Sequence, residues 1–232
     1  LSIVIGLAFM RFVAQGRHLE PAGAKAKSKG NAPPVYSRAM LIRIFAIVLV
    51  TTGIGGLIFQ STTFALPKVF DERLGDLGQS ATAVGGWAFL VFTVAAFAQL
   101  VVGYLVDRYS VRYVFATVAL LQVIFLLLMT GLSGTAALIV SVAFMLAVFG
   151  QIPINDVLVG RIAKSEWRAR AYSLRYIVTF SVMASAVPLI GWVHANWGFE
   201  ALFKGLSLAA AAILLAALML PARVHTNTAS AA

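Results

Sequence analysis

The sequence predicts an all-α polytopic membrane protein: six transmembrane helices in two three-helix repeats of opposite orientation, preceded by a partial helix. Three observations predict it. Hydrophobic residues make up 61% of the chain and charged residues 11%, at a mean hydropathy of +0.93, whereas a soluble surface needs about a quarter charged residues. Apolar runs of span length alternate with short charged loops: no Asp, Glu, Lys or Arg occurs from Leu77 to Val106, and none from Tyr113 to Asn155. Basic residues are also strongly segregated between alternate loops.

Residues 1–15 are apolar except for Arg11, too short for a span of about 20 residues, and are read as the tail of a truncated transmembrane helix. A signal peptide is the competing reading, but no basic region precedes the apolar one. Residues 16–40 form a basic linker, with Arg17, Lys25, Lys27, Lys29 and Arg38 against one acid, Glu20. Its Lys, Pro, Gly and Ala content suits a mobile connection between two membrane bundles, or an ordinary tail. Residues 41–221 form the bundle, with spans expected at 41–66, 81–105, 112–132, 135–158, 171–194 and 201–221, and residues 222–232 a terminal tail. Each span must be helical, because a chain in lipid has to satisfy its backbone internally and these runs lack the alternation of barrel strands.

Scoring the loops for Lys and Arg gives the topology. The linker shares its side with Arg108, Arg112, Arg161, Lys164, Arg168, Arg170, Arg175 and Arg223, and the other side holds only Lys68, Arg73 and Lys204. Both ends are therefore expected in the cytoplasm of a plasma (inner) membrane protein. An internal repeat agrees with six spans. Gly103, Ser110 and Phe115 recur as Gly191, Gly198 and Phe203, a constant offset, the first copy beside Arg112 and the second beside Glu200. Opposite charge is what opposite orientation requires.

A net charge of +10 suggests nucleic acid in a soluble chain. Here the bases lie in loops between spans, where topology and anionic membrane lipids account for them, and no nucleic-acid partner is expected. There is no cysteine, and His18, His194 and His225 are far apart, so neither a disulfide framework nor a metal site nor a cofactor is expected. An enzyme needs a catalytic constellation, and no His–acid pair, activated Ser or metal-ligand pair lies in a span. A channel should show a filter or re-entrant segment, and none is visible.

The stretch Gly103–Arg112, GYLVDRYSVR, is so short that it forces the flanking spans into antiparallel contact and puts Asp107, Arg108 and Arg112 at one membrane surface. Gly103 is expected to let its helix approach a neighbour closely. The stretch resembles the signature loop of the major facilitator superfamily of secondary transporters, matching at Gly103, Leu105, Asp107, Arg108 and Arg112 and departing at Ser110 and Val111. A second stretch, Ser165–Leu174 or SEWRARAYSL, is similar to that family's helix entry at Arg168, Arg170 and Ala171, with Ala169 in place of Gly. The resemblance implies the C-terminal six-helix half of a twelve-span transporter, whose partner is the missing N-terminal half. It also implies that Asp107 and Arg112 make state-dependent gating contacts, and Arg108, Asp156, Arg168 and Arg170 at the same rim are counted with them. A solvated turn is the plainer alternative.

On the first span Thr52, Gly56, Gln60 and Thr63 share one helix face. A polar stripe avoids lipid, and the resemblance makes this a cavity helix, so Thr52 and Gln60 are candidate solute contacts, against helix-packing glue. Gly53, Gly55 and Gly56 read as a flexing point. The fourth span carries Gln151 and Asn155 one turn apart around Pro153, with Asp156 just beyond. Gln151 and Asn155 are the leading solute candidates, and satisfied helix-end groups the alternative. Arg175 lies a turn inside the fifth span near Tyr172, Tyr176 and Thr179. A charge there needs a partner or a wet cavity. It is expected to pair with Asp156 or with an anionic solute, Tyr176 completing the set, or to serve as a topological anchor.

No acid lies near the middle of a span, so the group for any proton coupling is expected in the other half. Gly205, Ala209, Ala212 and Ala216 form a small-residue stripe suited to helix packing, and Trp87, Trp192 and Trp197 read as packing or interface anchors. The expected function is secondary active transport of a small organic solute by alternating access, coupled to an ion such as the proton. A six-span channel or a non-transporting scaffold is the alternative, and a membrane enzyme ranks below both.

Overall fold

A computed structural model describes residues 38–162 and 168–220. The expected helix tail at 1–15, most of the linker and the tail at 222–232 lie outside the described residues, as do Lys164 and Glu166. All regular structure among the described residues is helical. Helix α1 runs Arg38–Arg73, α2 Ala81–Arg108, α3 Val111–Leu128, α4 Gly134–Ile162 and α5 Arg168–Leu218, with single 3-10 turns at Gly75–Gly78 and Met129–Gly131.

Among the described residues five helices are long and apolar enough to cross a membrane, where the sequence predicted six spans. The difference lies in α5. Its 51 residues would make a rod of roughly 75 Å, far longer than a hydrocarbon core of about 30 Å. The rod is interrupted at Gly198, with φ 72° and ψ −176°, a backbone region open essentially to glycine alone. One residue therefore does what a loop was expected to do between the fifth and sixth predicted spans. The corresponding join between α2 and α3 is Tyr109–Ser110, with Ser110 extended at ψ 126° and its carbonyl accepting from the amides of Tyr113 (3.0 Å) and Val114 (3.2 Å). Gly198 is the repeat partner of Ser110. Phe115 and Phe203, five residues beyond each, are both buried.

Neighbours in sequence are often not neighbours in space. Helix α1 packs mainly on α5, α2 on α4 and α3 on α5, whereas the backbones of α2 and α3 come close at few points, as do those of α4 and α5. Side chains locate the two halves of α5: Gly53 and Gly56 of α1 face Val178 and Thr179 in 168–197, and Ser207 in 199–218 donates to the Val123 carbonyl of α3 at 2.9 Å. The first helix of each triplet thus rests on the second helix of the other.

The interior is apolar and aromatic, with Phe70, Phe115, Phe144 and Phe203 fully buried and the rings of Phe144 and Phe203 5.9 Å apart. The exterior is apolar too: Phe89, Phe97, Leu100, Ile177 and Leu208 are exposed, as lipid contact allows. Two glycine expectations are corrected. A Cβ on Gly103 meets nothing within 4 Å, while the tight approach of α2 to α4 lies at Gly150, where a Cβ would stand 2.9 Å from Val102. Helix α1 runs unbroken through Gly53, Gly55 and Gly56, which act as approach points. The stripe from Gly205 to Ala216 packs in part: Ala209 and Ala216 lie against the core, Gly205 and Ala212 are exposed, and Leu206, Ala210, Ile213 and Ala217 are the buried face of 199–218. Trp87 does pack, donating to the Leu77 carbonyl at 2.9 Å.

Candidate functional site

Helices α1, α4 and α5 line a half-open cavity of about 180 Å³. It is lined by Thr52, Gly56 and Phe59 from α1, Gln151 and Asn155 from α4, and Arg175, Tyr176, Thr179 and Phe180 from α5. Five of the six predicted solute contacts, Thr52, Gln151, Asn155, Arg175 and Tyr176, are thereby brought together. Gln60 is only partly buried and does not line the cavity. The shared face of α1 passes the cavity at Thr52 and Gly56 and has left it a turn later.

One wall is an amide relay. Gln122 of α3 donates through Nε2 to Gln151 Oε1 at 2.7 Å and to the Ala147 carbonyl at 3.2 Å. Gln151 in turn donates to the Thr51 carbonyl of α1 at 3.4 Å. The relay needs Gly55, since a Cβ there would lie 2.5 Å from Gln151 Nε2. Gln151 therefore ties three helices together at the cavity edge. Sequence reading passed over Gln122, although a lone amide among the apolar residues of α3 was a usable signal.

The opposite wall carries the charge. Arg175 is 6% exposed, and its Nη1 pairs with Asp156 Oδ1. Tyr172 donates to the Asp156 backbone carbonyl at 2.9 Å, steadying that end of α4. The guanidinium stands 5.3 Å from the Tyr176 ring centre, and Tyr172, Tyr176 and Phe180 stack in series along α5 at 6.4 and 5.8 Å. Asp156 was expected either at the rim gate or as the partner of Arg175; it has the second role.

Three buried atoms on residues that line this space have no protein partner: Thr52 Oγ1, Asn155 Oδ1 and Arg175 Nε. Their side chains are 3%, 5% and 6% exposed. A buried polar atom left unsatisfied costs about 1–3 kcal/mol, so three on the lining residues of one cavity are a local concentration of unmet hydrogen bonding.

The rim residues are otherwise dispersed. Asp107 and Arg108 are exposed and Arg112 half-buried. Arg108 stacks over Tyr104 at 4.5 Å, and among the described residues Asp107 and Arg112 form no ion pair. Arg170 is exposed on the first turn of α5; Arg168 begins that helix, its side chain lying outside the described residues. At the far end of the bundle Arg73 donates to the Met129 carbonyl and, at 3.4 Å, to that of Leu132. There His194 also meets Glu72 at 3.2 Å and stacks on Phe199 at 4.0 Å. Among the described residues no group of His, Cys, Asp and Glu has the arrangement of a metal site.

A search of curated proteins found no match. The sequence profile of the Major Facilitator Superfamily matches residues 44–232, a range that takes in the Gly103–Arg112 loop and all three walls of the cavity. With that match over most of its length and helices built for lipid, the chain belongs to the Major Facilitator Superfamily and is a membrane transporter of that type.

Proposed function

We propose that the chain carries a small organic solute by alternating access, as the C-terminal half of a secondary active transporter in the plasma membrane with both ends in the cytoplasm. The observation that carries this reading is the cavity itself. Three side chains that line it, each more than nine-tenths buried, carry polar atoms with no protein partner, within a bundle whose outer surface is apolar. A scaffold has no use for such atoms, and a channel needs a continuous wet path rather than a single pocket on one bundle. Thr52, Asn155, Arg175 and Tyr176 contact the solute, with Gln151 as the brace between helices, and Gln60 contacts solute only in a state where α1 has turned. Asp107, Arg108, Arg112, Arg168 and Arg170 form the gate at the cytoplasmic rim with the N-terminal half. Coupling is to an ion, the proton, whose carrier group lies in that other half, because no acid lines the cavity.

The chain contains no cysteine, so a single introduced thiol reports access directly. Met183→Cys lines the cavity; in sealed vesicles holding the protein expressed from its complete reading frame, an impermeant thiol reagent should label it from either face while the membrane stays closed to ions. Labelling from one face only would remove alternating access, and ion conductance would make the protein a channel.

A further inference from the structure

We infer that the end of α2 seats an anionic phospholipid of the cytoplasmic leaflet, with its phosphate on Arg108 and Arg112 and an acyl chain along α2. The inference rests on the transport reading only for which end of the bundle is cytoplasmic.

Phe97, Val101, Tyr104 and Arg108 follow one another at spacings of four, three and four, so they form one stripe of the helix, and all four are exposed. Along that stripe the chemistry changes in the order of a membrane leaflet: hydrocarbon side chains, then a tyrosine, then a base. The rise from Phe97 to Arg108 is roughly 16 Å, about half of a hydrocarbon core some 30 Å thick. The Arg108 guanidinium lies over the Tyr104 ring at 4.5 Å, which holds the charge at the tyrosine's level. The join to α3 adds Tyr109, Arg112 and Tyr113, so three of the chain's six tyrosines fall between Tyr104 and Tyr113, as in an interfacial aromatic belt.

What the patch lacks is a counter-charge. Arg43, Arg73 and Arg175 each donate to a protein oxygen, whereas among the described residues Arg108 and Arg112 make no hydrogen bond or ion pair. At the opposite end of the bundle the bases are balanced: Lys68 meets Asp71 at 2.7 Å and Glu72 at 3.6 Å, and Lys204 meets Glu200 at 3.6 Å. Asp107 is the single acid between Tyr104 and Tyr113, so the segment stays net positive. A phosphodiester supplies the missing acceptors, and the cytoplasmic leaflet is where anionic lipid attracts bases. Both arginines also belong to the proposed gate, so a bound headgroup competes with the gate for them.

The test presents the protein from its complete reading frame with matched amounts of phosphatidylglycerol and phosphatidylcholine and counts the lipids retained in native mass spectrometry. Phosphatidylglycerol should be preferred, and the preference should fall about fivefold in Arg108→Gln and about fivefold again when Arg112→Gln is added. Tyr104→Leu should lower it about twofold, since an exposed cation–π contact is weak. Lys204→Gln, which removes the same charge from the other end, should leave it unchanged. Equal retention of the two lipids by the native sequence, or an unchanged preference in the double variant, overturns the site. So does displacement of phosphatidylglycerol by millimolar inorganic phosphate, which would make the patch an ion site with no seat for a chain. Orientation is read separately with Tyr109→Cys and an impermeant thiol reagent, since the chain has no cysteine of its own. Labelling in inverted vesicles but not in intact cells supports the cytoplasmic leaflet. Labelling in intact cells, with the lipid preference intact, overturns the orientation and leaves the headgroup site standing.

Discussion

Arg73 and Arg175 stand at different levels of the same bundle, and each draws a guanidinium out of water. Arg73 is spent entirely on structure. Its Nη1 donates to the carbonyls of Met129 and Leu132, the orphan acceptors where α3 and its 3-10 turn end, and its cation lies 5.8 Å from the Phe203 ring. Arg175 is the more deeply buried of the two, yet it has one ion pair and a free Nε. The difference teaches that burial alone does not mark a functional charge. What sets Arg175 apart is a buried donor with no protein partner on a residue that lines the cavity.

Removing each arginine's donors should therefore have separable effects. Arg73→Met should cost about 2–3 kcal/mol of stability, the worth of a charge-assisted hydrogen bond and its neighbour, measured by unfolding in mild detergent, with ligand affinity of the folded fraction unchanged. A loss of affinity at constant stability would erase the contrast. Next in size is the brace beside the cavity. Gly55→Ala drives a methyl into Gln151 Nε2 and should cost about 1–3 kcal/mol as overpacking. Because the clash is with one side chain, Gly55→Ala combined with Gln151→Ala should be less damaging than the sum of the two by about 1 kcal/mol. Strict additivity would mean the two residues do not meet.

The two joins give a smaller contrast. Gly198→Ala meets no neighbour within 4 Å, so its whole cost is backbone strain at φ 72°, about 1–2 kcal/mol. Gly205→Ala, equally open but helical, should be neutral or stabilising by up to about 1 kcal/mol. Equal effects at the two positions would show that the chain does not turn at Gly198.

Much of this was legible in the chain because lipid leaves few options. Apolar runs of span length had to be helices, and Arg175 had to find Asp156 or a guest, since a lone charge in a span is too costly to leave unpaired. The five-residue polar cluster could be assembled for the same reason. What stayed hidden depends on how each helix is rotated and how closely the helices approach. Spacing put Gln60 on the same face as Thr52, but a helix touches a cavity over only part of its length. Gly55 gave no sign that it makes room for Gln151, nor Gln122 that it donates to it, because both facts concern distances between helices far apart in sequence. Gly198 was found as a repeat position, not as a one-residue corner, since φ is not written in a residue pattern.

The smallest expected stability effect, at Asp107, bears most directly on the gate. Asp107 is exposed, and among the described residues it has no ion pair, so Asp107→Asn should change unfolding by no more than about 0.5 kcal/mol. A contact made in one access state only stabilises that state alone, and its loss shifts the balance between states without changing intrinsic affinity for solute. The variant should therefore bind solute normally while the ratio of inward to outward labelling of Met183→Cys changes several-fold. An unchanged ratio would return Asp107 to the role of a solvated turn residue.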